Sequence, residues 1–297
     1  MPSKRIAWIG LGLIGLPMAA RLAAAGWQVL GFDINAERLA LASAKGISGA
    51  ASVSEAVEGT KLVFTSLPTE TALVELSRSL AAALPADAIL VETSTVGPVD
   101  SSKVADALRA RRIAYLRAPI SGSVNLAESG GLTTFVSGPK ASFLSAKEAL
   151  AAYSRAQIWL GEAEEARYAK LAVNLMVAVT AGMMSETLAL ARKGGISWQA
   201  ILDLLGESVV ASPLVKYKID PLRRRDFTPT ATGALLTKDL DLIVEAARQA
   251  GVPAPLANHM LSVYRAMDPA LVSEDFISVV KLTERAAGLG EPPSKTD

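Results

Sequence analysis

Lys170 and Asn174 stand four residues apart at the head of a run that reads as helix, so both side chains leave one face of it. A lysine can give or take a proton at a carbonyl or hydroxyl oxygen, and an asparagine can orient that group through hydrogen bonds. The chain offers few alternatives for acid–base work. Its one histidine, His259, lies in a late helical stretch, and cysteine is absent. Those counts exclude disulfides, thiolate nucleophiles and metal sites built on cysteine, and leave Lys, Tyr, Asp or Glu as proton carriers. Taken alone, the pair reads rather as a surface lysine and a helix asparagine. Its place, where the chain changes texture, singles it out.

Gly10-Leu11-Gly12-Leu13-Ile14-Gly15 follows an apolar strand candidate at 6–9 and opens a helix over 14–25. Pro17 falls in the first turn of that helix and Gly26 just past its end. A second strand candidate, 28–33, ends in Asp33. Strand, glycine turn, helix, strand and acid, in that order, form a device for holding a dinucleotide. Gly10 permits the tight turn, Gly12 lets backbone approach a pyrophosphate, and Gly15 lets helix lie close to strand. Leu13 and Ile14 begin the helix at the positive end of its dipole. Asp33 can accept hydrogen bonds from a ribose 2′-hydroxyl and would repel a 2′-phosphate. No arginine follows it before Arg38, so NAD is expected rather than NADP. The alternative is that Asp33 caps a helix beginning near Ala36.

Two further clusters stand out. In Ala118-Pro119-Ile120-Ser121-Gly122-Ser123, the Ser121 hydroxyl and the N–H groups of Gly122 and Ser123 either line a nest for a carboxylate or make a plain turn. In Thr237-Lys238-Asp239, Lys238 sits at an expected helix start, where the dipole disfavours a cation. It either contacts cofactor or substrate there or is simply solvated.

The elements that must position these residues change character midway. Strand candidates at 62–66, 88–92, 114–116, 133–137 and 157–160 alternate with helical stretches at 36–44, 71–83, 100–111 and 142–152. That alternation predicts an α/β domain with a doubly wound, mainly parallel sheet over residues 1–163. From 164 to 297 only helices are expected, at 167–193, 198–205, 237–250, 255–267 and 276–286, in a domain for substrate and oligomerisation. The tail at 288–293 reads as frayed. Long apolar helices in a modest domain point to a homo-oligomer, a dimer or tetramer.

Composition sets the outer bounds. Thirty Lys and Arg against 29 Asp and Glu leave no electrostatic handle for nucleic acid or an anionic membrane. Arg223-Arg224-Arg225 is short and reads as a solvated loop. No uninterrupted apolar run of membrane-spanning length and no cleavable leader pattern appear, so a cytoplasmic protein is expected.

Four segments in order, GLGLIGLPMAARL (10–22), APISGS (118–123), GEAEEARYAKLAVN (161–174) and LLTKDLDL (235–242), resemble the four motifs of the β-hydroxyacid dehydrogenase family. That family includes 3-hydroxyisobutyrate dehydrogenases and tartronate semialdehyde reductases. The resemblance implies a Rossmann domain joined by a long helix to an all-helical domain. It implies hydride exchange between NAD(P) and a small hydroxyacid or semialdehyde. Lys170 would be the acid/base with Asn174 assisting, and Ser121 and Gly122, with Ser123 beside them, would bind the substrate carboxylate. Leu67 and Pro68 would line the adenosine-side wall, Thr95 would touch the nicotinamide end, and Lys238 would lie by the cofactor.

The chain departs from the family pattern in three places. Arg117 stands where the family usually has Asp before Ala-Pro, and Ser123 where it usually has Gly. Glu164 and Ala166 replace glycines before the catalytic lysine. Ser-Gly-Ser also occurs in the glyoxylate and succinic semialdehyde reductase branch, whose NADP preference conflicts with Asp33. Imine-reducing relatives usually lack the lysine. The lost glycines also leave open a non-catalytic NAD-binding relative.

Overall fold

The computed structural model describes residues 4–292. The chain divides into two compact units, with Lys170 closing the first and Leu171 opening the second. The first contains β1 (Arg5–Ile9), α1 (Gly15–Ala24), β2 (Gln28–Phe32), α2 (Ala36–Ser43), β3 (Ser48–Gly49), α3 (Val53–Val57), β4 (Leu62–Thr65) and α4 (Glu70–Ala83). It continues with β5 (Ile89–Glu92), α5 (Pro98–Arg109), β6 (Ala114–Arg117), β7 (Ile120–Ser121), α6 (Val124–Ser129), β8 (Leu132–Ser137), α7 (Lys140–Tyr153), β9 (Ser154–Gly161) and the head of α8 (Glu165–Lys193).

The sheet runs β3-β2-β1-β4-β5-β6 in parallel, the order of a doubly wound dinucleotide-binding fold. β8 then pairs antiparallel with β6 and β7, and β9 pairs parallel with β8. Strand pleating sorts β1 onto two cores: Ile6 and Trp8 on one face, Ala7 and Ile9 on the other. Trp8 stacks on Phe64 at 5.1 Å between ring centres, with Tyr153 edge-on to both. The Trp8 indole N–H donates to the Gly10 carbonyl at 3.0 Å, so the largest buried ring of this core also braces the glycine turn.

The second unit takes the rest of α8, then α9 (Trp198–Glu207), α10 (Pro213–Arg224), α11 (Gly233–Gln249), α12 (Pro255–Arg265), α13 (Pro269–Val272) and α14 (Val279–Ala286). Leu188, Leu202, Leu222, Leu240 and Val280 are fully buried in its core. Among the described residues α8 is the helix long and apolar enough, by length and composition, to cross a membrane, a property hidden from a count of uninterrupted apolar runs. Here Leu171, Ala178, Ala181, Met184 and Leu188 bury one side of it in the second core. Met176, Met183 and Leu190 stay exposed on the other side, at 67, 55 and 76 %.

Several expectations change. The contact division falls inside α8, later than residue 163, because Ala166 and Arg167 are buried in the first unit. α11 begins at Gly233, capped by the Thr232 hydroxyl, which accepts from Leu235 N–H. Lys238 is therefore past the first turn, and the dipole argument for its role lapses. Arg223 and Arg224 end α10, where cations suit the dipole, and Arg225 caps it with φ +54°. Only Arg224 of the three is exposed, so they are no solvated loop. The tail is tied where it was expected to fray: Arg192 donates to the Gly290 carbonyl at 2.7 Å, while Pro293 lies outside the described residues. The elements missed in the sequence, β3, α3, β7, α6 and α13, are too short for a period to show, and α10 contains Pro221.

Candidate active site

The glycine turn is built by collision. Gly10 has φ +91°, and a Cβ there would overlap the Ser66 carbonyl. A Cβ on Gly15 would overlap the carbonyl of Gly10 itself. Both glycines are therefore demanded by the fold. Gly12 is different: a Cβ there would meet nothing within 4 Å. Room is kept at the one glycine of this turn that packing does not require, just before α1, with Leu13 exposed and Ile14 half-buried beside it. This fits a phosphate drawn close to backbone N–H groups.

Asp33 is not a helix cap; that role belongs to Asn35, whose side chain accepts from Glu37 N–H at 2.9 Å. Asp33 Oδ2 instead accepts from Leu11 N–H at 2.7 Å and Oδ1 from Asn35 N–H at 2.9 Å. The carboxylate is thus locked across the glycine turn. Each oxygen keeps a second lone pair for a ribose hydroxyl.

Beyond β4, Ser66 N–H donates to the Ile9 carbonyl at 2.9 Å, and Leu67 N–H donates to Ser94 Oγ at 2.7 Å. That bond draws the Leu67-Pro68 segment to the end of β5, where Thr95 follows Ser94. Ser121 ends β7, opposite Thr133 of β8, and Gly122 follows with φ +138°. A Cβ on Gly122 would crowd Leu132 and Leu126. Ser123 precedes α6 without a side-chain capping bond, so this segment is a strand end and helix start rather than a plain turn.

Lys170 lies half-buried on α8 and Asn174, one turn on, is buried. Asn174 Nδ2 donates to Asp239 Oδ2 at 2.7 Å. Asp239 follows Lys238, whose Nζ lies 3.6 Å from the other Asp239 oxygen. Within the second unit one hydrogen bond therefore joins two separate motifs. His259 is exposed on α12 and takes no part.

Ion pairs that the sequence did not reveal surround the head of α8. Arg117 donates from Nε to Glu164 Oε1 at 2.9 Å and from Nη2 to the same oxygen. Arg167 pairs with Glu92, both fully buried, and donates to Tyr115 Oη at 2.8 Å. Burial works against the Arg167 charge, yet Tyr115, Glu92 and Glu164 hold its pKa above the ordinary guanidinium value. Burial likewise pushes the Tyr115 phenol up. One signal was legible: Arg167 stands three residues before Lys170, on the same face.

Comparison with known proteins gives the family. A family model described as the NAD binding domain of 6-phosphogluconate dehydrogenase matches residues 5–161. A second, described as NAD-binding of NADP-dependent 3-hydroxyisobutyrate dehydrogenase, matches 165–283. A probable 3-hydroxyisobutyrate dehydrogenase of Mycobacterium tuberculosis is 31% identical over 283 residues, 93% of this chain and 96% of that protein. An NAD-dependent L-serine dehydrogenase of Pseudomonas aeruginosa is 29% identical over 296 residues, 96% of this chain and 99% of its own length. The solved structure of M. tuberculosis 3-hydroxyisobutyrate dehydrogenase with L-serine superposes with a TM-score of 0.86 at 29% identity, covering 94% of this chain and 98% of that one. With both domain models in sequence, a relative above 30% identity along nearly the whole chain and the same architecture, the chain belongs to the β-hydroxyacid dehydrogenase family.

Proposed function

We propose that the protein is an NAD-dependent dehydrogenase that interconverts a small 3-hydroxyacid and its semialdehyde, with Lys170 moving the proton. The observation that carries this reading is the stripe on α8: Lys170 and Asn174 share one face, and Asn174 is held by Asp239. Bound nicotinamide supplies or accepts the hydride. In oxidation, Lys170 as an amine takes the hydroxyl proton; in reduction, its ammonium form protonates the developing alkoxide. Asn174 gives its N–H to Asp239 and so turns its amide oxygen to accepting, which suits orientation of a hydroxyl or of the lysine.

The Ser121 hydroxyl with the N–H groups of Gly122 and Ser123 suits the substrate carboxylate. Asp33 favours NAD, since a locked carboxylate repels a 2′-phosphate. Leu67, Pro68 and Thr95 line the cofactor. The exposed apolar row on α8 supports a homo-oligomer, a dimer or tetramer, which light scattering in solution would register.

The test is a substrate panel of 3-hydroxyisobutyrate, L-serine, threonate and a sulfonate analogue, oxidised with NAD⁺ and NADP⁺ in parallel. Tartronate semialdehyde is reduced in the reverse direction. Turnover with NAD⁺ is expected, and Lys170→Ala should lower kcat by about 10²–10⁴ while NADH affinity persists. No turnover on any member, or a Lys170→Ala variant as active as the parent, overturns the reading.

A further inference from the structure

The guanidinium of Arg167 makes four hydrogen bonds inside the first unit. Besides Glu92 and Tyr115, it donates from Nε to Ser101 Oγ at 3.1 Å and from Nη1 to the Ser94 carbonyl at 2.8 Å. Glu92 accepts in turn from Ser94 N–H at 2.8 Å, and Ser94 Oγ accepts from Leu67 N–H. One planar fork on α8 therefore touches β5, the residue before Thr95, α5 and β6.

Net stability does not explain such an arrangement, because a well-packed apolar pair in place of a buried ion pair is commonly as stable or more so. What a guanidinium with four fixed partners does is set geometry: its plane cannot rotate, and neither can the helix turn that carries it. Lys170 follows three residues later, about 4.5 Å along the axis and on the same face.

We propose that Arg167 is a positioning residue for the reaction, setting the height and rotation of the first turns of α8 and so the place of Lys170. The inference rests on the proposed role of Lys170. The second ion pair supports it from the other side, since Arg117–Glu164 ties the same helix head to the strand leading into Ser121.

The test compares parent, Lys170→Ala and the charge-neutral double variant Arg167→Met with Glu92→Gln, using 3-hydroxyisobutyrate and L-serine as substrates. The double variant should melt near the parent and bind NADH within threefold of it. Its kcat should fall about 100-fold with KM nearly unchanged, the cost of a misplacement near 1 Å. Arg167→Lys keeps the charge but loses the fork, and should recover no more than a tenth of the parent kcat. It provides the same comparison should the double variant fold poorly. A stable double variant, or an Arg167→Lys variant, with kcat within threefold of the parent overturns the inference. So does an equal loss in NADH affinity and kcat, which would make Arg167 a general support of the fold. A fully active Lys170→Ala variant would instead overturn the reading of the site, whatever Arg167 does.

Discussion

Glu164 accepts two hydrogen bonds from the Arg117 guanidinium, so two residues that each break the family pattern complete one another. Singly, an arginine in place of Asp and a glutamate in place of Gly look like damage to two motifs. Together they form one largely buried ion pair, with Arg117 also resting on the Tyr115 ring at 4.6 Å. The segment before α8 has exchanged a close backbone approach for a charge tether.

That exchange is testable by a double-mutant cycle. Restoring glycine alone, Glu164→Gly, leaves Arg117 buried and bare and should destabilise the protein by about 3 kcal/mol, the lower end for a broken buried pair. Arg117→Met with Glu164→Gln should cost less than the two single changes added together. Urea denaturation gives both values, and strict additivity would mean the pair is incidental.

The glycine turn predicts opposite outcomes for near-identical changes. Gly10→Ala drives a methyl into the Ser66 carbonyl at φ +91° and should lower stability by about 2–3 kcal/mol. Gly12→Ala meets no protein atom, so its melting temperature should stay with the parent while NADH affinity drops at least tenfold, about 1.4 kcal/mol. A Gly12→Ala protein that binds NADH normally would remove the phosphate from this place.

For Asp33→Ala, the ratio of NAD⁺ to NADP⁺ efficiency should fall by about tenfold or more, worth about 1.4 kcal/mol of lost discrimination. Because Leu11 N–H also loses its partner, NADH affinity should weaken as well. Parallel kcat/KM measurements with the two cofactors decide it; an unchanged ratio would assign Asp33 to shaping the turn alone.

Buried tyrosines fix the behaviour at high pH. Burial pushes the phenols of Tyr115, Tyr153 and Tyr264 above their ordinary value. A pKa raised in the folded state contributes stability that is whole below the unfolded value, about 10, and is lost as pH rises past it. These tyrosines should therefore ionise only as the protein unfolds. Phenolate absorbance and far-ultraviolet circular dichroism should show a shared cooperative step; full ionisation before any loss of helix would contradict this.

Much of this site was legible in the sequence, and the reasons are specific. Gly10 and Gly15 were readable because their roles are backbone roles, set by local spacing. The shared face of Lys170 and Asn174 was readable because a helix puts i and i+4 together. Lys238 was misplaced for want of its cap, since Thr232 and Gly233 precede any apolar period. The partners Glu92–Arg167, Arg117–Glu164 and Asn174–Asp239 join residues dozens of positions apart, and no local pattern encodes which charge meets which. Topology does: β5 and β6 lie side by side, and the start of α8 meets their ends.

The ion pairs at the head of α8 also impose an order on making the protein. Synthesis runs from the N-terminus, and domains fold as they emerge. Until residues 164 and 167 exist, Glu92 and Arg117, register neighbours on β5 and β6, lack the ion-pair partners they have in the finished fold, although every strand of the sheet has already been made. The sheet is thus complete before its buried charges have their final partners, and the head of α8 acts as its stopper. Chains released after 161 and after 170 should differ sharply in pulse proteolysis, the longer one surviving. A cut at 161, where the family model ends, should make a poor fragment, and a cut beyond Lys170 a sounder one.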